Sequence, residues 1–298
     1  MRMTRAAFLS VTLSLLLGAL APAFAQEKIK VSSFSTILTE IAQQVGGNRV
    51  QITAHVKPGV DPHDFQPKPS DMRAVAEADL VLLSAKHMEG YLSRLKEASG
   101  AKGNLLEVGA SLPSLKLTVQ HGDHSHDGED PHWWHSVRNI AKATKIVRDA
   151  LIRVSPADKD AFSASASAYL TKLDALEQWM KSKVAELPRD KRKLVTNHDA
   201  FGYFAKDFGF TVMPVSGVSR NSQPGSKAVS EMITAIKKAG VKAVFSEDVA
   251  NPKVIQEITK ETGARFGGEL LSDGLGAKGA TIEAMFKYNV TTIVDALK

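Results

Sequence analysis

The feature that most constrains the fold is a long helical pattern near the middle of the 298-residue chain. Ser155 and Pro156 supply an N-cap and a proline suited to a first helical turn, and Pro188 stops the pattern. A helix over 156–187 would be about 48 Å long, enough to pack along two lobes and to limit hinge motion between them. Between its ends, apolar residues recur at steps of three and four, as one buried helix face requires: Phe162, Ala166, Tyr169, Leu173, Leu176, Met180, Val184 and Leu187.

Strand-like and helix-like patterns alternate on both sides of this helix, which is typical of parallel sheets flanked by helices. The sequence therefore predicts an α/β protein of two lobes, each with a parallel sheet flanked by helices, joined by one long backbone helix. Before the long helix, strands are predicted over 28–34, 50–56 and 80–83, and helices over 37–45, 71–78 and 91–98. After it, strands are predicted to end at Val195 and to cover 210–215, 243–246 and 265–270, with helices over 201–208, 227–238, 252–262 and 281–297.

The first 25 residues are typical of a secretory signal. Arg2 and Arg5 give a positive start, an apolar stretch follows over 6–20, and Ala-Phe-Ala at 23–25 fits a cleavage site. The apolar stretch is too short for a stable membrane anchor. We therefore expect export to a periplasm and four segments: a signal peptide (1–25), an N-terminal α/β lobe with a His loop at 121–129 (26–154), a connecting helix (155–188) and a C-terminal α/β lobe (189–298).

Composition excludes several classes of protein. Cysteine is absent, which excludes disulfides, thiolate zinc sites and lipid attachment through an N-terminal cysteine. Removal of the signal takes away Arg2 and Arg5, so the net charge falls from +6 to +4. The remaining charge is spread over many lysines with no dense basic run beyond 191–193, and nucleic acid is therefore not expected as a partner.

Histidines are concentrated between positions 121 and 135. His121, His124 and His126 lie among acidic residues and indicate a flexible loop that could collect divalent metals. Further on, Asp130 and Pro131 lead through His132 into two tryptophans, so that His132 would lie where a polar loop meets buried apolar surface. That position suits a permanent metal ligand, although a solvated loop before a helix start would give the same pattern.

Four metal-capable side chains follow predicted strands or lie in loops that border the lobes: His63, His132, His198 and Asp273. Parallel α/β sheets bind ligands at the carboxyl ends of their strands, so the four could meet in a cleft, two from each lobe. Three imidazoles and one carboxylate form a tetrahedral set suited to Zn2+. Glu247 or Asp248, after another strand, is the alternative carboxylate, and His55 and His87 are weaker candidates.

The segments around these positions resemble the zinc- and manganese-type solute-binding proteins of ABC metal importers (cluster A-I), on the zinc-specific branch. The resemblance covers essentially the whole mature chain, and implies two α/β lobes, a connecting backbone helix and a metal held between the lobes by His63, His132, His198 and Asp273. The motifs that carry it are Val-Asp-Pro-His-Asp-Phe-Gln-Pro at 60–67, Asp-Pro-His-Trp-Trp at 130–134, Asn-His-Asp-Ala-Phe-Gly-Tyr at 197–203, and Asp-Gly-Leu at 273–275 followed by Met-Phe-Lys-Tyr-Asn at 285–289.

The resemblance also implies a function: a periplasmic, monomeric protein that delivers Zn2+ to the permease of a membrane ABC transporter, with a periplasmic zinc donor protein as a second partner. Manganese-binding members tend to carry a carboxylate at the third ligand position, so His198 favours zinc, as nitrogen ligands do on general grounds. Two features depart from the family pattern. The His loop is short beside the insertions of many zinc-specific relatives, and His135 stands where an apolar residue is more usual.

Three other functions stay open at this level: a manganese-binding homologue, a zinc-dependent hydrolase and an adhesion protein. A hydrolase would bind zinc through three histidines and leave the fourth position to a water that Glu247 or Asp273 could activate. No HExxH helix motif is present, however, and we do not expect an enzyme. Nothing in the sequence singles out an adhesive surface.

Overall fold

The computed structural model describes residues 27–100, 103–121, 124–217, 225–247 and 252–298. The signal peptide expected at 1–25 and the alternative ligand Asp248 lie outside the described residues. Within those ranges, no helix combines the length and the apolar character needed to cross a bilayer. The segment boundaries at 154/155 and 188/189 stay predictions.

The N-terminal lobe contains a parallel sheet of four strands: β1 (Ile29–Ser33), β2 (Val50–Ala54), β3 (Leu80–Leu83) and β4 (Leu105–Glu107). The strand order is β2-β1-β3-β4. The crossover helices are α1 (Thr36–Gly46), α2 (Pro69–Glu77) and α3 (Leu92–Ser99). All four residues of β3 are buried, as a strand with both faces covered requires.

The segment predicted as a flexible His loop is a β-hairpin in its described part, so that prediction was wrong. Strands β5 (Lys116–His121) and β6 (His124–Glu129) pair in antiparallel fashion, from Lys116 opposite Glu129 to His121 opposite His124. This pairing gives the backbone N–H and C=O groups of the two strands partners that a solvated loop would leave to water. Beside the histidines and acids, the segment contains strand-forming residues such as Val119, which favour this hairpin.

A long amphipathic helix that the sequence analysis did not predict, α4 (Val137–Val154), follows the Trp-Trp-His segment. The signal was present, because its buried residues lie three and four apart, like those of the central helix. They are Val137, Asn139, Ile140, Ala143, Thr144, Val147, Ala150 and Leu151.

The central helix is shorter than the predicted range of 156–187. Residues Pro156–Asp158 form a separate 3-10 turn, and helix α5 covers Lys159–Ala185, 27 residues or about 40 Å. At the other end, the N–H of Leu187 bonds to the carbonyl of Val184 at 3.0 Å, so the chain tightens into a 3-10 turn before Pro188. The apolar face predicted for this helix is buried along its whole length.

The C-terminal lobe repeats the parallel architecture with strands β7 (Lys193–Thr196), β8 (Thr211–Pro214), β9 (Ala243–Glu247) and β10 (Arg265–Leu270). The strand order is β10-β9-β7-β8. Four helices belong to this lobe: α6 (Gly202–Phe208), α7 (Ser226–Ala239), α8 (Pro252–Thr262) and α9 (Ile282–Leu297). The predicted two-lobe α/β architecture with a joining helix is confirmed.

One hydrophobic core extends through both lobes. It contains residues of both sheets together with residues of α1, α4, α5 and α9. In β3, Leu80 and Leu82 belong to this core, whereas Val81 and Leu83 pack in a separate cluster on the other face of the sheet. The two lobes are therefore joined by buried apolar surface as well as by α5.

Candidate metal centre

The structure brings together the four side chains singled out in the sequence. His63 follows β2 and His132 precedes the 3-10 turn of Trp133–His135, whereas His198 follows β7 and Asp273 follows β10. Two of the four come from each lobe. One ligand atom from each lies within 4.8 Å of the others, in the only such group of His, Cys, Asp and Glu side chains among the described residues.

The distances between these atoms have the scale of a coordination shell. His63 Nε2 lies 3.2 Å from His132 Nε2. Asp273 Oδ1 lies 3.6, 3.5 and 3.4 Å from the Nε2 atoms of His63, His132 and His198. A regular tetrahedron with metal–ligand bonds of about 2.0–2.1 Å has edges of about 3.3–3.4 Å. The four measured edges therefore fit a tetrahedral ion with three nitrogen ligands and one oxygen ligand.

Burial differs among the four groups. The side chains of His132 and His198 are fully buried, and that of Asp273 is 1% exposed. The side chain of His63 is 11% exposed, which makes it the member of the set that water reaches most easily. Aromatic side chains surround the centre: Trp134 packs edge-on against His132 with ring centroids 5.3 Å apart, and Trp133 and Phe201 are buried.

A carboxylate that the sequence analysis did not assign a role fixes His132. Asp130 Oδ1 lies 2.9 Å from His132 Nδ1 and accepts the backbone N–H of His132 at 2.9 Å. Because Asp130 occupies Nδ1, Nε2 is left to point at the other three groups. The signal was visible in the spacing, since Asp130 precedes the histidine by two residues across a proline.

Glu247, weighed as an alternative metal ligand, has a different place. Its carboxylate hydrogen bonds to His198 Nδ1, and its Oε1 accepts the backbone N–H of His198 at 3.2 Å. Glu247 therefore holds the Nδ1 side of the imidazole ring, so that Nε2 of His198 faces Asp273. The sequence analysis placed Glu247 at the right strand end but had no means to tell a ligand from a group that orients one.

Among the carboxylates next to the histidines, that of Asp61 contacts the backbone of the loop that carries His63. Its Oδ1 accepts the N–H of His63 at 2.9 Å, which helps to hold the loop that carries this histidine. The two weaker candidate histidines lie elsewhere. His55 stacks on Phe34 at 4.3 Å and bonds through Nδ1 to Asp71 at 3.0 Å, and His87 is exposed.

Electrostatics in the centre couple the imidazoles to the carboxylates. Burial alone would lower the pKa of His198, but the Glu247 and Asp273 carboxylates outweigh it and the pKa lies well above its usual value. In the same way, Asp130 and Asp273 outweigh burial and raise the pKa of His132. Burial would raise the pKa of Asp273, yet the surrounding imidazoles lower it well below its usual range. Without a cation, the imidazoles of His132 and His198 therefore keep their protons to a higher pH than free imidazoles do.

His135, the residue that departs from the family pattern, is buried beside the centre. It is 1% exposed, and its Nε2 lies 2.6 Å from the carbonyl oxygen of Ser272, the residue before Asp273. The departure from the family pattern therefore places a buried polar group next to the residue that precedes Asp273.

Comparison with known proteins gives one family and a consistent set of relatives. The family model described as "ZnuA: Zinc-uptake complex component A periplasmic" matches residues 31–296. The manganese-binding lipoprotein MntA of Bacillus subtilis is 32% identical over 284 residues, 92% of this chain and 91% of that protein. The iron-binding protein YfeA of Yersinia pestis is 30% identical over 289 residues, 97% of this chain and 92% of that protein. The solved structure of the periplasmic zinc-binding protein TroA from Treponema pallidum superposes with a TM-score of 0.82 at 27% identity, covering 91% of this chain and 99% of that chain.

Proposed function

Because the chain belongs to the family of zinc-uptake complex component A, whose members are metal-binding solute-binding proteins of ABC importers, we propose that it is a periplasmic, high-affinity zinc-binding protein that delivers Zn2+ to a membrane ABC transporter. In this proposal His63, His132, His198 and Asp273 are the ligands. The observation that carries it is a set of four short distances, 3.2 Å between the Nε2 atoms of His63 and His132 and 3.4–3.6 Å from Asp273 Oδ1 to the three Nε2 atoms.

The same geometry favours transport over catalysis. A catalytic zinc site keeps one position open for water, whereas a closed site uses four protein ligands. In the proposed site, three imidazoles and one carboxylate would occupy the four positions of a tetrahedral shell, and Glu247 is bonded to His198 instead of facing a position for water. The ion would then be a cargo held by the protein.

The choice of zinc over manganese depends on the ligand atoms. Manganese is served best by oxygen ligands in octahedral sites, whereas imidazole and tetrahedral geometry suit zinc. Three of the four proposed ligands are nitrogens, and the relative TroA is a zinc-binding protein. A manganese-binding function is the second candidate, because the relative MntA is a manganese-binding lipoprotein.

Partners and location follow from the same proposal. The permease of an ABC transporter would receive the ion, and a periplasmic zinc donor protein could supply it. The periplasmic location rests on the signal predicted at 1–25 and on the periplasmic description of the family. The protein is expected to act as a monomer and without nucleic acid.

The test is metal analysis of protein purified without an affinity tag, followed by competition titration with zinc and manganese against chelators of known affinity. We expect zinc to be bound at least about a hundredfold more tightly than manganese, a difference of about 2.7 kcal/mol. Equal or tighter binding of manganese would contradict the zinc-binding function and favour the manganese-binding function. Hydrolysis of ester or peptide substrates that disappears in the His63→Ala variant would support an enzyme instead.

A separate prediction concerns the His-bearing hairpin of β5 and β6. We propose that its histidines capture zinc weakly and pass it to the centre. Deleting residues 121–129 would also remove the contacts of Glu129 with Ser114 and Lys86, so the sharper variant replaces His121, His124 and His126 by asparagine. The equilibrium zinc affinity should stay within about threefold of wild type, because the triple variant leaves the four proposed ligands of the centre unchanged.

Loading, by contrast, should slow at limiting zinc, and stopped-flow mixing of the triple variant with zinc held by a weak chelator would measure this. The control is the same experiment at saturating free zinc, where both proteins should load at one rate. A triple variant that loses the tight site would show that the hairpin supplies a primary ligand. Unchanged loading in both conditions would remove the proposed role.

A further inference from the structure

The loop that carries Asp273 belongs to the C-terminal lobe but is anchored on the N-terminal lobe. Just before Asp273, the carbonyl oxygen of Ser272 accepts a hydrogen bond from Trp134 Nε1 at 2.9 Å and lies 2.6 Å from His135 Nε2. Trp134 and His135 lie two and three residues after His132, another of the proposed ligands. One short segment of the N-terminal lobe therefore supplies a ligand and also holds the backbone next to a second one.

A second anchor lies on the other side of Asp273. The N–H of Leu275 donates to Thr36 Oγ1 at 2.9 Å, and its carbonyl accepts the N–H of Gly59 at 3.3 Å. Gly274 has a φ of 136°, and a Cβ at that position would come within 2.3 Å of Thr36 Oγ1. The loop is thus pressed against the opposite lobe on both sides of the carboxylate.

The hydroxyl group of Ser272 acts on the carboxylate itself. Its Oγ lies 3.3 Å from Asp273 Oδ2 and 3.3 Å from Glu247 Oε2. Asp273 Oδ1 is the oxygen that faces the three Nε2 atoms. With Oδ2 turned to the serine, the carboxylate presents a single oxygen to an ion in the centre.

His135 is suited to hold Ser272 in place. A carbonyl oxygen only accepts hydrogen bonds, so Nε2 of His135 carries the hydrogen and donates it. Burial lowers the pKa of His135 to about 4, which keeps the ring neutral and in that donor form at neutral pH. The ring also packs on Phe201 with centroids 4.5 Å apart, which fixes its orientation.

We propose that His135 is a positioning residue that sets the metal preference of the centre: acting through Ser272, it holds Asp273 as a one-oxygen ligand of a four-coordinate site. Four-coordinate geometry suits Zn2+. Ions such as Mn2+ that prefer more oxygen ligands gain when a carboxylate is able to turn and offer both of its oxygens. The inference rests on the proposed four-ligand zinc site.

The test compares His135→Leu, which removes the donor, with His135→Gln, whose amide can still donate to the Ser272 carbonyl. Zinc and manganese affinities are measured on the purified full chain by chelator competition. His135→Leu should weaken zinc binding about tenfold, the lower range for groups that orient metal ligands, and manganese binding less than about threefold. His135→Gln should keep both affinities within about threefold of wild type. Equal losses for the two metals, no loss, or a glutamine variant that behaves like the leucine variant would each overturn the inference.

A double-mutant cycle separates this inference from the proposed site. In the Asp273→Ala background, His135→Leu should cause no further loss of zinc affinity, because its effect passes through the carboxylate. If Asp273→Ala itself leaves zinc affinity unchanged, the four-ligand site fails. If Asp273→Ala weakens zinc binding but His135→Leu lowers the zinc affinity by the same factor in both backgrounds, only the proposed role of His135 fails.

Should His135→Leu not fold, Ser272→Ala tests the same route from the other side. It leaves the backbone carbonyl in place and removes only the hydroxyl group that engages Asp273 Oδ2. The ratio of zinc to manganese affinity should fall in this variant as well, and an unchanged ratio would contradict the inference.

Discussion

Replacing His132 by alanine is expected to weaken zinc binding by at least about a hundredfold, or about 2.7 kcal/mol. The variant loses one of the four proposed ligands, and the side chain of His132 is fully buried. It also leaves the buried carboxylate of Asp130 without the imidazole that it orients. Chelator competition at fixed pH measures the loss directly.

The control for this variant is His87→Asn. His87 is exposed, lies outside the centre, and has a φ of 65°, a backbone conformation that asparagine tolerates better than alanine does. The His87→Asn variant should bind zinc as tightly as the wild-type protein does. His63→Ala and His198→Ala should each weaken binding at least about tenfold. Wild-type affinity in all three alanine variants would remove the proposed ligand set.

Zinc affinity should fall by at least about a hundredfold as the pH is lowered from 7 to 5. Burial would lower the pKa values of His132 and His198, but the neighbouring carboxylates outweigh it and raise both. Below a raised pKa the metal-free protein binds a proton at that imidazole, which zinc must displace, so each of the two costs about tenfold in affinity per pH unit. Affinity therefore rises with pH until these raised pKa values are passed.

Titrations at half-unit steps of pH give the slope, and calorimetry in buffers of different ionisation enthalpy counts the protons released. The expected count at pH 6 is more than one, because the pKa values of both imidazoles are raised. The His198→Ala variant serves as the matched control, because its slope should be lower by about one proton. A wild-type slope below one proton across the interval would exclude a centre dominated by these imidazoles.

The sequence contained most of the architecture, because strands and helices of this fold carry strong local signals. His63, His198 and Asp273 follow β2, β7 and β10, and the rule for parallel sheets predicts that side chains at these strand ends meet at one cleft. His132 follows no strand of either parallel sheet, and its place was suggested by the change from a polar loop to two tryptophans. Helix α4 was missed although its buried residues repeat with the same spacing as those of α5. The helical spacing of apolar residues that predicts α4 is therefore present in the sequence.

Contacts between distant residues could not be predicted in the same way. His135 and Ser272 are 137 positions apart, and their hydrogen bond depends on how the two lobes pack. Whether Glu247 binds a metal or a histidine likewise depends on the direction of one carboxylate at a strand end, and the sequence pattern gives only the position of that residue. Such choices are decided by tertiary packing, which no local spacing records.

The unequal burial of the four groups has a consequence for the kinetics of delivery. His63 is the proposed ligand that solvent reaches most easily, whereas the other three are enclosed. In the proposed delivery, a group supplied by an acceptor protein would therefore first meet the ion on the side of His63. The acceptor's first ligand would replace His63 in a mixed complex before the remaining bonds break. The transfer rate should consequently increase with acceptor concentration and exceed the rate of spontaneous dissociation into water.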